Sequence, residues 1–278
     1  MNNSSPRVTL IVPFYNCERY LTETLDSICA QTFTDFECIL INDASTDGSE
    51  KVVNRYLHDS RIIYRKNEQR VGIVANLNTG IQLAKGEYIA RMDGDDVSEP
   101  SRLEAQVAFL DEQKDIDMVG TFAQVIDSAS KSTGRFIKKP TSSKEITRDV
   151  IVYLTVIHGT TLMRRGIFDR IGMYRQEYLY CEDVDFTYRF LFSGLKAGNI
   201  PEYLYRYRYH DQSTAHTARA NALRAFRLRR ATIRQFHLKL TPKQWGLIFA
   251  QFIVGYTLSG RQRQKIERMY KKIVYGEV

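Results

Sequence analysis

Three aspartates stand within four positions at the end of an apolar run, in the segment YIARMDGDDVSEP at 88–100. Asp93, Asp95 and Asp96 would repel one another and lose solvation together unless a partner held them. Asp and Gly are ordinary turn residues, so a surface turn is one explanation of the segment. The other is a hard-oxygen site for Mg²⁺ or Mn²⁺, ions that take one or two protein carboxylates and complete their shell with phosphate oxygens and water. The segment therefore predicts either a turn or a divalent cation with an anionic ligand beside it.

Two further polar clusters follow apolar runs nearer the amino terminus. Tyr15 and Asn16 come after the first run, and Asn42 and Asp43 come after the second. In a parallel sheet, ligands bind outside the carboxyl ends of the strands. A turn explains any one of these clusters, but the three together predict a shared crevice.

A third set of acids, Glu182, Asp183 and Asp185, lies in the first turn of a predicted helix at 180–194. The amino terminus of a helix stabilises negative charge, so these acids are explained as helix-end residues, and we expect Asp183 to stay ionised there.

The elements that must position these residues alternate between strand and helix. Short β-branched runs and amphipathic stretches predict strands at 7–16, 36–41, 61–66 and 87–92, with helices at 18–31, 51–59 and 72–86 between them. This order predicts an α/β fold with a mostly parallel sheet and helices on both faces. A later alternating run, PEYLYRYRYH at 201–210, predicts a strand with Tyr203, Tyr205, Tyr207 and Tyr209 on one side and Leu204, Arg206, Arg208 and His210 on the other.

Composition places the 278 residues with soluble globular proteins, at 43% hydrophobic and 26% charged. The amino terminus has no long apolar core behind a basic start, which predicts no secretory signal. The four cysteines form no CxxC pair, which predicts reduced thiols and a cytoplasmic location.

Charge divides the chain. Residues 201–278 hold 16 Lys+Arg against 4 Asp+Glu, whereas 1–200 hold 24 against 28. We predict a catalytic domain at 1–215 and a basic helical extension at 216–278. Its apolar segment of about 15 residues is too short to span ~30 Å of hydrocarbon comfortably. The extension is therefore either a basic amphipathic surface that contacts an anionic membrane at its inner face, or an element that packs on the core.

Three segments together resemble family 2 of the glycosyltransferases, whose fold is the Rossmann-like GT-A fold. They are LIVPFYNCERYLTETLDSICAQTFTDFECILINDASTDGS, GIVANLNTGIQLAKGEYIARMDGDD and EDVDFTYR, and the resemblance covers about residues 7–212. It implies a nucleotide-sugar donor, Mn²⁺ or Mg²⁺, and transfer with inversion at the anomeric carbon. The implied acceptor is a hydroxyl of a glycan or lipid-linked oligosaccharide in surface polysaccharide synthesis.

The resemblance also implies roles for individual residues. The loop at the nucleotide base corresponds to Pro13, Tyr15 and Asn16, and Asp43 resembles the acid that accepts a hydrogen bond from the base. Asp93 and Asp95 resemble the D-x-D pair, with the first nearer the ribose and the second nearer the metal. The general base corresponds to Asp183, with Glu182 as the other acid of its pair, and His210 resembles a late histidine that completes the metal site.

Weaker candidates and open alternatives remain. Arg70 and Asn78 are candidates for nucleotide contacts, and His158 and Gly159 for the acceptor side. The chain departs from the family pattern at Asn42, where an acid is common, and at Ala44, where glycine is common, so uridine is only the favoured base. A sugar-phosphate nucleotidyltransferase shares the strand-end acids but would carry a glycine-rich phosphate loop. A basic nucleic-acid-binding protein would not explain the acidic clusters, which would repel phosphates. No nucleic-acid partner is therefore predicted.

Overall fold

A computed structural model describes residues 5–209 and 218–257 of the chain. Two compact units make up the chain, unit 1 at Met1–His210 and unit 2 at Asp211–Val278. The domain boundary expected from charge lies a few residues later, after 215. Assigning catalysis to the first part and an accessory role to the second stays a prediction.

Unit 1 contains strands and helices in alternation. Its strands are β1 Val8–Phe14, β2 Phe36–Asn42, β3 Ile62–Lys66, β4 Tyr88–Arg91, β5 Val97–Ser98, β6 Met118–Ile126, β7 Ser132–Ile137, β8 Leu162–Arg164 and β9 Ala197–Arg208. Its helices are α1 Glu18–Cys29, α2 Ser49–Asn54, α3 Ile73–Leu83, α4 Arg102–Glu112, α5 Ser143–Asp149, α6 Ile167–Ile171 and α7 Glu182–Phe192. Two 3-10 turns lie at His158–Thr160 and Gln176–Tyr178.

The described strands form one sheet in the order β3-β2-β1-β4-β8-β6-β9-β5, with β7 paired to β6. The first four strands are parallel, as the strand–helix alternation predicts. Every residue of β1 and β2 is buried, because helices and loops cover a parallel sheet on both faces. Beyond β4 the sheet is mixed, and β5 pairs antiparallel with β9. The acidic segment therefore crosses from β4 to β5, at the carboxyl ends of the parallel strands.

Strand β9 does not alternate as its sequence predicts. Its register against β6 shifts on both sides of Phe122, so the neighbouring residues Leu204 and Tyr205 are both buried. Arg208, expected beside Arg206 on a common face, is 1% exposed and lies in the interior. A β-bulge changes the direction of the side chains that follow it, which a strict period of two cannot anticipate.

Unit 2 contributes two described helices, α8 at Ala218–Gln235 and α9 at Pro242–Thr257. They pack as a helical pair in which the Phe226 ring of α8 lies 4.5 Å from the Phe252 ring of α9 and 5.6 Å from that of Phe249. A Cβ on Gly255 would come within 2.8 Å of the Ala222 methyl, so the glycine permits a close helix contact. Among the described helices, none has both the length and the apolar character needed to cross a bilayer.

Candidate active site

The acidic turn begins with an arginine that the sequence analysis did not single out. Arg91, the last residue of β4, is almost fully buried and forms a two-pronged ion pair with the Asp93 carboxylate. The Asp93 backbone N–H donates to the Tyr205 hydroxyl at 3.3 Å. Between the acids, a Cβ on Gly94 would lie 2.6 Å from the Phe14 Cβ, so only glycine lets the turn close onto the end of β1.

The three aspartates of the turn have different surroundings. Asp96 is 1% exposed and accepts hydrogen bonds from the Tyr205 hydroxyl at 2.8 Å and from the Arg208 backbone N–H at 2.7 Å. Burial raises its pKa well above the ordinary value, and the charges of Asp95 and Asp93 raise it further. Asp93 and Asp95 remain half-buried. The repulsion between neighbouring acids is therefore reduced by turning Asp96 inward and by placing Asp93 on Arg91.

Buried Arg208 fixes the backbone of the same turn. Its guanidinium donates to the carbonyl oxygen of Asp95 at 2.6 Å and pairs with the Glu23 carboxylate at 2.6 Å. A further bond reaches the Ser130 hydroxyl at 2.7 Å. The Arg208 side chain is therefore engaged in holding the turn.

Helix α7 brings the second group of acids. The Asp183 carboxylate accepts a hydrogen bond from the Val184 backbone N–H at 2.8 Å. Burial raises the pKa of Asp183, and that hydrogen bond and the charge of Arg91 only partly oppose the rise. Desolvation therefore outweighs the effect of the helix terminus on the pKa of this group, and the ionisation of Asp183 at neutral pH stays a prediction. A raised pKa moves the carboxylate toward the range of an effective general base at neutral pH.

The other acid of the pair, Glu182, is also perturbed. Its Oε2 atom is buried and has no hydrogen-bond partner among the described residues. Burial raises the pKa of Glu182, and the neighbouring Asp183 charge raises it further. A carboxyl oxygen without a partner marks a point where an incoming hydroxyl or cation would find an acceptor.

Arg91 connects the two groups of acids. Burial raises the pKa of Asp93, Glu182 and Asp183, and the charge of Arg91 opposes the rise at each of them. The Asp183 charge in turn raises the pKa of Asp93. One buried guanidinium therefore acts electrostatically on both the strand-end turn and the amino terminus of α7, which are about ninety residues apart in the chain.

The third acid in the first turn of α7 has a structural role. Asp185 is 1% exposed and pairs with Arg175 and, across one helical turn, with Arg189. Arg189 also donates to the carbonyl oxygens of Ile171 and Met173. These bonds tie α7 to the segment before it, in which Tyr180 adopts a left-handed φ of 70°.

Asp43 lies at the opposite end of the site, after β2. It accepts hydrogen bonds from the Asn67 amide at 3.0 Å and from the backbone N–H groups of Val71 and Gly72 at 2.8 and 3.0 Å. Burial by itself would raise the pKa of Asp43, but these bonds and one from Asn76 outweigh it, and the pKa is lowered. An ionised acceptor is therefore held at the ends of β2 and β3.

Tyr15 and Arg70 flank that carboxylate. The Arg70 guanidinium carbon lies 4.0 Å from the centre of the Tyr15 ring, and its Nε lies 4.0 Å from the Asp43 carboxylate. Beside them is an open cavity of about 350 Å³, whose lining residues are Ala44, Ser45, Lys66, Asn67 and Glu68. Asn16 accepts a bond from the Thr46 backbone N–H at 2.8 Å and so joins the loops after β1 and β2.

Other predicted positions have different settings. Pro13 lies inside β1 and is buried, not in the loop that follows it. Both amide atoms of Asn78 bond to the backbone of Tyr174, and His158 is 2.6 Å from the Tyr174 hydroxyl. A Cβ on Gly159 would lie 2.7 Å from the Tyr205 hydroxyl, so this residue packs against the tyrosine that binds Asp96 of the turn. His210 lies outside the described residues.

Sequence reasoning missed Arg91, Tyr205 and Asn67. Arg91 had a detectable signal, since a charged residue inside an otherwise apolar strand needs a buried partner. Asn67 had none, because only the fold brings it to Asp43.

The donor set fits a divalent cation that shares its ligands with a substrate. No cluster of three His, Cys, Asp or Glu side chains in residues 5–209 and 218–257 forms a metal site by itself. The turn offers the carboxylates of Asp93 and Asp95, both half-buried. One or two carboxylates completed by phosphate oxygens is the arrangement that Mg²⁺ favours.

Comparison with known proteins decides the family. The family model described as glycosyl transferase family 2 matches residues 9–172. The putative glycosyltransferase EpsE of Bacillus subtilis is 36% identical over 210 residues, covering 74% of each chain. The chain belongs to glycosyl transferase family 2. An uncharacterized glycosyltransferase of Haemophilus influenzae is 32% identical over 219 residues, covering 76% of this chain and 68% of the relative.

Solved structures confirm the GT-A fold of this family 2 enzyme. S. aureus TarS 1–349 in complex with UDP-GlcNAc aligns with a TM-score of 0.70 at 21% identity, over 91% of this chain and 73% of the TarS 1–349 chain. The mannosyltransferase PcManGT from Pyrobaculum calidifontis, in complex with GDP-Man and Mn²⁺, aligns with a TM-score of 0.61 at 18% identity, over 92% and 71%. Family membership leaves the nucleotidyltransferase and nucleic-acid-binding alternatives without support.

Proposed function

We propose that this chain is an inverting, metal-dependent glycosyltransferase that transfers a sugar from a UDP-linked donor to a hydroxyl of a glycan or lipid-linked acceptor in surface polysaccharide synthesis. The observation that carries the proposal is the ion pair between buried Arg91 and Asp93 of the acidic turn, because the charge of the same guanidinium also acts on Asp183. This supports a cation-binding pair and a carboxylate base of raised pKa that act in one site of a family 2 chain.

The donor's base would bind between the ends of β1 and β3. Asp43, held ionised, accepts a hydrogen bond from an N–H of the base, while Tyr15 and Arg70 provide a ring and a planar cation beside it. The UDP and UDP-GlcNAc complexes of TarS favour uridine as the base, and the GDP-Man complex of PcManGT keeps guanine as the competitor.

The chemistry follows from the position of Asp183. Its carboxylate takes the proton of the acceptor hydroxyl as the hydroxyl oxygen bonds to the anomeric carbon. The bond from that carbon to the diphosphate oxygen breaks on the opposite face, and the bonding electrons leave with the nucleoside diphosphate. General-base catalysis of this kind contributes roughly 10²- to 10⁴-fold. Glu182 is the second candidate for the same role.

Asp95 and Asp93 are the residues that would hold Mn²⁺ or Mg²⁺, with His210 as the third predicted ligand. When bound, such an ion neutralises the charge that develops on the departing diphosphate. Arg91 limits how far Asp93 can contribute, because the same carboxylate oxygens form its ion pair. Asp95 is therefore the principal ligand of this proposal.

A lipid-linked acceptor would place the enzyme in the cytoplasm at the inner face of the membrane. The basic unit 2 supports this location through its charge, and the reaction itself does not depend on it.

The test is release of nucleoside diphosphate from a panel of UDP-, GDP- and dTDP-sugars, with Mn²⁺ or with excess chelator. We expect turnover with a UDP-sugar that requires the metal. Asp183→Asn keeps the size of the side chain, so donor binding should survive while transfer falls by about two orders of magnitude or more.

Glu182→Gln is the matched control for that variant. If it is crippled while Asp183→Asn is active, the base has been assigned to the wrong acid. Metal-independent turnover of the wild type would refute the cation role, and no turnover with any nucleotide sugar would refute the donor class.

A further inference from the structure

The described helices of unit 2 carry charge of one sign. Residues 218–257 contain eight Lys or Arg and no Asp or Glu. Arg227, Arg230 and Arg234 of α8 are exposed. Their spacing of three and four residues places them on one side of the helix. This side of α8 is a row of cations without an acid in the same pair of helices.

Helix α9 exposes large apolar side chains in a second stripe. Phe249 is 48% exposed, Ile253 56% and Tyr256 48%, at intervals of four and three residues. The Trp245 ring, four residues before Phe249, is 5.8 Å from it, which extends the stripe by one turn. Exposed aromatic and aliphatic residues concentrated on one helical face mark an interaction surface more than scattered exposure does.

The basic and apolar stripes meet at Phe226. Its ring contacts Phe249 and Phe252 of α9, and it lies four residues before Arg230 on α8. A residue and the fourth one after it share a side of a helix. The cationic row therefore runs along the border at which the apolar stripe begins.

We propose that the α8–α9 pair is a docking surface for an anionic lipid bilayer, which α9 enters at the interface without crossing. The described residues of this helix, Pro242–Thr257, number 16. At 1.5 Å per residue it is about 24 Å long, short of the ~30 Å hydrocarbon core. Anionic headgroups meet the arginines while the acyl boundary accepts Phe249 and Ile253.

Charge and chemistry distinguish this occupant from the others. A second copy of the chain would bring the same cations face to face. Nucleic-acid phosphates would meet the arginines but leave the Ile253 side chain in water. A bilayer presents negative charge and hydrocarbon side by side, as this surface does.

The experiment is flotation of the full chain with vesicles of phosphatidylcholine alone or of phosphatidylcholine and phosphatidylglycerol at about three to one. We expect binding to the anionic vesicles at low salt, weaker binding at high salt, and little binding to phosphatidylcholine alone. Neutralising the row (Arg227→Gln, Arg230→Gln and Arg234→Gln) should lower the partition coefficient at least tenfold. Removing the stripe (Ile253→Ser and Tyr256→Ser) should abolish the fraction that stays bound at high salt.

Unit 1 offers matched controls. Arg135→Gln, Lys138→Gln and Lys144→Gln remove three exposed cations, and Leu57→Ser and Leu83→Ser remove two exposed apolar side chains. These variants should bind as the wild type does. Circular dichroism of each variant verifies that the helices are retained.

The surface is independent of the proposed reaction, because partitioning is measured without donor or metal. Wild-type protein that stays unbound with anionic vesicles at low salt overturns the proposal. Equal losses in the control variants would show a general charge effect and overturn it too. A wild-type dimer that becomes monomeric when Ile253 and Tyr256 are replaced would assign the stripe to a second copy instead.

Discussion

At the scale of single residues, the site contains backbone strain. Asn16 and Ala44, which follow the ends of β1 and β2, have φ values of 51° and 57°. Asparagine tolerates the left-handed region, whereas a Cβ without a compensating hydrogen bond costs about 1–2 kcal/mol there. The resemblance to family 2 implies glycine at the position of Ala44, and a φ of 57° favours glycine there.

We predict that Ala44→Gly raises the free energy of unfolding by about 0.5–1 kcal/mol, the relieved strain less the added entropy of the unfolded chain. Ala30→Gly is the control, because Ala30 is exposed with a φ of −81° and gains nothing from glycine. Urea denaturation of both variants measures the difference. Equal destabilisation by the two substitutions would contradict the strain.

Asp183 should lower the stability of the fold at neutral pH. Its folded pKa is raised by burial above the ordinary value of 3.8, so the folded state binds a proton more tightly than the unfolded state does. The carboxyl therefore costs nothing below pH 3.8 and destabilises progressively as pH rises through the folded pKa. Asp183→Asn should melt at a higher temperature than the wild type at neutral pH.

The gain in melting temperature should shrink as the pH is lowered, which thermal melts at several pH values measure. Asp95→Asn removes an acid of the turn between β4 and β5, and its melting temperature is compared at the same pH values. A gain for Asp183→Asn that is constant with pH would contradict the titration of this carboxyl.

At the scale of elements, the acidic turn is held by strand β9. Asp96 accepts from Tyr205 and from the Arg208 backbone, and Arg208 binds the carbonyl oxygen of Asp95. Asp96, the last acid of the turn, is thus a positioning residue. Helix α7 repeats this division, with Asp183 as the proposed base and Asp185 in a buried ion pair.

We predict that Asp96→Ala lowers the free energy of unfolding by about 2–3 kcal/mol, because two hydrogen bonds are lost and the Arg208 backbone N–H loses its acceptor. Asp96→Asn should recover most of this stability, and most of the turnover, because its amide oxygen can accept from the same N–H. Denaturant unfolding and nucleoside diphosphate release measure the two effects.

Asp95→Asn is the contrasting variant for this turn. It should remain as stable as the wild type and lose metal-dependent turnover. If Asp96→Asn is as inactive as Asp95→Asn, then Asp96 acts on the substrate and not through the turn.

At the scale of the whole molecule, the chain combines a slightly acidic first part with a strongly basic carboxyl-terminal part. The proposed cation site lies in the first part and lacks a complete set of protein donors among the described residues. Metal and nucleotide should therefore bind together, with the diphosphate supplying the missing oxygens.

We predict that Mn²⁺ and UDP together raise the melting temperature by more than the sum of their separate shifts, since each increases the affinity for the other. Differential scanning fluorimetry with each ligand and with both measures the coupling. Asp95→Asn should abolish the excess while keeping the shift from UDP alone. A full shift with Mn²⁺ alone would indicate a complete protein site instead.

The sequence by itself determined the parallel β1–β4 core, the family and the positions of the carboxylates. These follow from local patterns: apolar runs, helical spacing, and acids at strand and helix ends. Only the tertiary structure decided which aspartate of the acidic turn is buried and which ones stay half-buried. The Asp96 carboxylate accepts hydrogen bonds from the Tyr205 hydroxyl and the Arg208 backbone N–H. At Asp95, Arg208 binds the backbone carbonyl oxygen instead. Both partners lie more than a hundred residues later in the chain.

The pKa of Asp183 was decided in the same manner. The sequence places it at a helix terminus, which favours ionisation, but burial by the surrounding fold reverses the direction. The β9 bulge likewise turned Arg208 inward against its alternating pattern. Burial and long-range partners depend on the packing of distant segments, and no local spacing encodes them.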